Sequence, residues 1–83
     1  MKKILVDVTC PVTAKRYNMY IPCNLVIGEI KYLIAGIIEK NANTKFFLEN
    51  QVILCDYCNG KRIDDGKTPK ELNLKNGSQL ILI

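Results

Sequence analysis

Cys55-Asp56-Tyr57-Cys58 is the stretch of this chain whose residue types most resemble a chemical site. A C-x-x-C knuckle followed by Asn59-Gly60 can offer two thiolates to zinc. A closed zinc site takes four ligands, and only Cys10 and Cys23 remain, with Cys10 placed by the strand pattern about 15 Å from the Cys58 turn. The simpler reading makes Cys55 a small buried hydrophobe and Cys58 an incidental surface thiol. Redox chemistry is the other alternative for Cys55 and Cys58, but reactive pairs of this spacing sit at a helix start that lowers their pKa, and this one ends a strand. Without a signal peptide, reduced thiols are expected. The chain has no histidine, so the commonest general base and metal ligand are both missing.

Other motifs carry less. Gly66-Lys67-Thr68 echoes the end of a phosphate-binding loop, but Gly60 is one residue too far upstream and Pro69 stands where a long helix should begin. Asp64 and Asp65 read as turn residues that accept local hydrogen bonds. No nucleophile and base can be paired, and the expectation is a protein that is not an enzyme and needs no cofactor.

The 83 residues are 48% apolar and 24% charged, enough for a single domain over 1–83 with one core. The net charge of +4 is spread along the chain without interleaved aromatics, which argues for a solvated surface and against nucleic acid as a partner. The longest apolar run, Leu33 to Ile38, is too short to span a bilayer. A cytoplasmic protein without direct membrane insertion is expected.

The elements that must position any site follow from periodicity. Ile4, Val6 and Val8 alternate with Leu5, Asp7 and Thr9, and Tyr17, Met19 and Ile21 alternate with Arg16, Asn18 and Tyr20, so two strands form an antiparallel hairpin around Pro11. From Ile27 the period lengthens: Ile27, Ile30, Leu33, Ile34, Ile37 and Ile38 make one apolar helix stripe, with Glu29, Lys31, Glu39 and Lys40 facing away and a stop at Asn41 to Asn43. A third strand over 52–55 turns through a three-residue loop, Cys58-Asn59-Gly60, with Gly60 left-handed. That register sets Cys55 across from Ile63, both inward, and leaves Leu54, Asp56 and Arg62 outward. Thr68 caps a short turn, Leu72 and Leu74 plug the core, and Ser78 to Ile83 returns as a strand beside and parallel to the first. The class is α+β: a mixed sheet of four to five strands with one helix across one face.

The run from Asn59 to Leu82, with its glycine turn, basic and apolar pair, Asp64-Asp65-Gly66, Lys67-Thr68, Asn73-Leu74 and closing Leu80-Ile81-Leu82, resembles the second half of ubiquitin-like domains. Tyr17 to Pro22 leading into Val26 to Ile34 is similar to small bacterial ubiquitin-like proteins of the YukD and EsaB type. The resemblance implies a β-grasp fold and an accessory or regulatory role beside type VII (WXG100 or ESX-like) secretion systems. The chain given stops at Ile83 without a diglycine tail, so covalent attachment is not expected. The expected activity is non-covalent docking onto a protein partner, such as a cytoplasmic domain of a membrane component of that machine. The candidate surface is the sheet face not covered by the helix: Leu5, Leu54, Ile81 and Ile83, with Tyr20 and Arg62 around them. Weak self-association is the alternative use of the same patch, and Tyr32 with Gly36 on the helix flank is a second candidate.

Overall fold

The structure is a computed structural model that describes residues 2–43 and 52–83. Alternating apolar residues build the first two strands, β1 (Lys3–Cys10) and β2 (Lys15–Pro22). They pair antiparallel from Lys3↔Pro22 to Cys10↔Lys15, and the register puts Val6, Val8, Cys10, Met19 and Ile21 on one buried face. The turn between them closes with the Ala14 N–H donating to the Pro11 carbonyl at 3.1 Å.

Helix α1 (Ile27–Ala42) lies across that face. It ends where expected, with Asn43 at φ 52 donating back to the carbonyls of Glu39 and Lys40. Its start has no side-chain cap. Instead the amides of Ile27 and Gly28 donate to the carbonyls of Lys67 (2.8 Å) and Asp65 (2.9 Å), so a distant loop satisfies the first orphan donors of the helix. Gly28 permits this approach, since a Cβ there would sit 3.2 Å from the Asp65 oxygen.

The buried stripe differs from the expected one. Ile27, Ile30, Ile34 and Ile38 are fully buried with Ala35, but Leu33 and Ile37 are exposed at 52% and 46%. The helix buries the line through Ile27, Ile30, Ile34 and Ile38, and Leu33 and Ile37 stand to one side of it. Lys31, expected to face solvent, is 6% exposed because it reaches Asp65.

β3 (Leu54–Asp56) and β4 (Ser78–Leu82) complete the sheet in the order β2-β1-β4-β3. β4 runs parallel to β1, as expected, with Val8↔Leu80, and antiparallel to β3, with Leu54↔Leu82.

The turn after β3 holds four residues rather than three. Asp56 donates its N–H to Lys61, Ile63 donates to Leu54, and Cys55 stands opposite Arg62. Asp56 Oδ1 accepts from Cys58 and its carbonyl accepts from Gly60, both at 2.8 Å, while Asn59 Oδ1 accepts from Lys61. These side-chain acceptors define the longer loop, with Gly60 left-handed at φ 69. The added residue slips the expected register by one and reverses every side chain of β3. Leu54 is therefore wholly buried opposite Ile63, and Cys55 lies on the other face of the sheet.

Thr68 caps its turn as expected, and reciprocally: Glu71 N–H donates to Thr68 Oγ1 at 3.2 Å, and Thr68 N–H donates to Glu71 Oε1 at 3.0 Å. Leu72 and Leu74 pack half-buried against the core.

Candidate protein-docking face

The face of the sheet away from α1 is assembled from the residues between the buried ones. β1 contributes Leu5, Asp7 and Thr9, and β2 contributes Tyr20, Asn18 and Arg16 opposite them. β4 adds Gln79 and Ile81, with Ile81 between Thr9 and Cys55. Ile83 exchanges both backbone hydrogen bonds with Ile53, at 3.0 and 2.9 Å.

Five of the six residues expected on this surface are present. Tyr20 (66%) and Ile83 (54%) are the most exposed of its apolar members, Leu5 and Ile81 are half-buried, and Arg62 is exposed. Leu54 does not belong, because the four-residue turn points it into the core. Ile53, half-buried beside Ile83, takes its place, and only the true register identifies it.

The patch is also not continuous. Leu5 and Tyr20 share one row, while Ile81 lies four β1 positions further on, about 13 Å along the strand. Asp7 and Gln79, register partners, stand between the two ends, and Asp7 carries an ion pair with Arg16. The face thus offers two apolar ends separated by a row that is polar at Asp7 and Gln79 and carries the exposed ring of Tyr57 beside Gln79. Partner contact here would combine two apolar seats with hydrogen bonding across the middle.

Arg62 donates to Asp65 Oδ2 at 3.2 Å, and the same oxygen accepts from Lys31 Nζ at 2.8 Å. Asp65 has its carboxyl held below the usual value, first by the Lys31 hydrogen bond, with Arg62 adding to it and partial burial opposing. Asp64 is the turn residue it was expected to be, with Oδ1 accepting from the Gly66 N–H at 2.9 Å.

The thiols are not gathered. Cys10 faces the core, Cys55 occupies the opposite side of the sheet, Cys58 is exposed in its loop, and Cys23 is half-buried at the end of β2. Among the described residues no three Cys, Asp or Glu side chains come together to hold a metal ion. None of the described helices is long and apolar enough to cross a membrane.

Neither a known protein family nor any curated protein matches the sequence. Solved structures do match in shape. The EccD5 ubiquitin-like domain from Mycobacterium xenopi superposes with a TM-score of 0.82 at 10% identity, covering 100% of this chain and 94% of that one. The ubiquitin-like domain of the Mycobacterium tuberculosis type VII secretion protein EccD1 gives 0.78 at 9% identity, covering 100% and 99%. A ubiquitin from Caldiarchaeum subterraneum gives 0.75 at 13%, covering 99% and 92%. Identities this low speak for fold alone, and with the parallel β1–β4 pair, the crossing helix and the sheet order they agree on one: the chain has the ubiquitin-like β-grasp fold.

Proposed function

We propose that this protein is a ubiquitin-like accessory component of a type VII secretion apparatus, acting without covalent attachment by docking its helix-free face onto a cytoplasmic domain of a membrane component. The observation that carries this reading is the end-to-end match to ubiquitin-like domains of EccD proteins. A similar domain also occurs in a chain of the mycobacterial ESX-5 inner membrane complex, where this fold covers 21% of the chain, with a TM-score of 0.81. The two apolar ends around Tyr20 and Ile83 supply the surface.

Affinity purification from the native host, followed by identification of the bound proteins, tests the assignment. Wild type should bring down a component of the host's type VII apparatus. Tyr20→Asp and Ile83→Asp, both at exposed positions, should fold normally and lose it. Recovery of the same component by both variants would reject the face, and absence of any secretion component from the wild-type eluate would reject the assignment.

A further inference from the structure

A concavity lies at one edge of the molecule, where the end of β2 meets the turns after Thr68. It encloses about 280 Å³, near the lower end of the range of ligand pockets. Its floor is apolar: Ile4, Leu74 and the Cys23 side chain, all half-buried, with Ile4 and Leu74 resting on the core by their other sides. Its rim is basic: Lys2, Lys70 and Lys75, all exposed. No acidic residue lines it, and the three lysines have no ion-pair partner among the described residues.

Backbone hydrogen bonds hold this shape. Cys23 N–H donates to the Lys2 carbonyl at 3.0 Å and Lys70 N–H donates to the Cys23 carbonyl at 3.2 Å, which fixes two of the lysines around the floor. Leu74 N–H donates to Pro69 at 3.0 Å, Asn73 turns left-handed at φ 57, and Lys75 N–H donates to Ser78 Oγ at 2.9 Å, which sets the third. A preformed site loses less ordering free energy on binding than a loose loop.

We propose that this groove binds an acidic peptide segment of a partner protein, with one apolar side chain on the Ile4–Leu74 floor and flanking carboxylates on Lys2, Lys70 and Lys75. Charge complementarity selects the carboxylates, because among the described residues the rim presents three cations without an ion-pair partner and no anion. The recessed apolar floor selects a side chain rather than a lipid surface, which would need protruding apolar residues. Nucleic acid is disfavoured because the described lining residues offer no aromatic ring on which a base can stack. The site lies off the helix-free face, so it stands independently of the docking proposed there.

The test is an amide NMR titration of the full chain with the synthetic pentapeptide Asp-Glu-Leu-Asp-Glu, blocked at both ends. Shifts should cluster at Ile4, Cys23 and Leu74 and weaken as salt is added. Lys70→Glu combined with Lys75→Glu should reduce affinity about ten-fold or more, and Lys61→Glu, outside the groove, should not. Replacing the peptide's leucine with glycine should also weaken binding. If the double charge reversal disturbs the spectrum of the free protein, Lys70→Gln with Lys75→Gln should give a smaller loss on an intact fold. Absence of binding up to about 1 mM peptide, shifts centred elsewhere, or preference of the groove for oligothymidine or phosphatidylglycerol vesicles over the peptide would each overturn the proposal.

Discussion

Lys31 and Asp65, thirty-four residues apart, meet at 2.8 Å where the first turns of the helix cross the loop after the second hairpin. The lysine side chain is 7% exposed and the Asp65 side chain 35%, and Arg62 supplies a second cation to the same oxygen. Removing the carboxylate leaves an ammonium buried beside apolar neighbours, whereas removing the ammonium leaves a partly hydrated carboxylate that still has Arg62.

Asp65→Asn should therefore cost about 2 kcal/mol, below the roughly 3–5 kcal/mol of a fully buried pair because Asp65 still meets water. Lys31→Met should cost less, since it keeps the apolar stem, and the double variant should recover part of the Asp65→Asn loss. Urea denaturation of all four proteins measures the cycle. A loss in the double variant equal to the sum of the two single losses would mean that the pair contributes nothing specific.

The pH dependence has a definite sign. Asp65 titrates below its ordinary value in the folded protein, so its contribution is present above the unfolded-chain value of about 3.9 and is lost as pH falls through the lower folded value. Wild-type stability should drop in acid below about pH 4, and Asp65→Asn should show a shallower drop. Denaturation midpoints across the acid range read this directly.

The two ends of the hairpin register can be separated by substitution. Leu54→Ala should cost about 2–5 kcal/mol and Leu54→Asp should abolish folding, because Leu54 is wholly buried. Ile83→Asp should stay within about 0.5 kcal/mol. Circular dichroism melts distinguish these outcomes, and a folded Leu54→Asp protein would return Leu54 to the outer face.

Two glycines of the helix should respond oppositely. At Gly36 a Cβ meets nothing within 4 Å, so Gly36→Ala should gain about 0.5–1 kcal/mol, raising the melting temperature by roughly 4 °C. At Gly28 the Cβ presses on the Asp65 carbonyl that also accepts the Gly28 N–H. Gly28→Ala should show no gain, since the helical preference is offset by displacing that loop.

Thiol labelling should follow burial. Cys58 should react at once with an aromatic disulfide reagent and Cys23 more slowly, while Cys10 and Cys55 should wait for unfolding. Mass spectrometry of partly labelled protein assigns the order, and rapid modification of Cys55 would contradict its 6% exposure.

Much of this architecture is legible in local pattern. Period-two alternation marks β1 and β2, the longer period marks α1, and Gly60, Asn43 and Thr68 take the left-handed and capping roles their residue types suit. What local pattern does not carry is anything decided by a distant partner. Lys31 is buried because of Asp65, and its own helix face gives no sign of that. Leu33 and Ile37 fit the apolar stripe by spacing, yet the packed line of the helix runs beside them and leaves them exposed. At the docking face, one extra turn residue, stabilised by the Asp56 and Asn59 side chains, exchanged Leu54 for Ile53 and Cys55. Alternation alone cannot fix that parity, because it reads equally well in either register.

The sheet order β2-β1-β4-β3 has a consequence for how the polypeptide is made. β4, the most C-terminal strand of the domain, is the one that joins β1 to β3, and the helix start waits for amide acceptors at Asp65 and Lys67. During translation the N-terminal hairpin and helix can cover part of each other's apolar sides, but the strand that pairs with β1 and the acceptors for the helix start are still missing. Only after the ribosome has delivered Ser78 to Leu82 can the sheet close, so the complete fold forms late in synthesis.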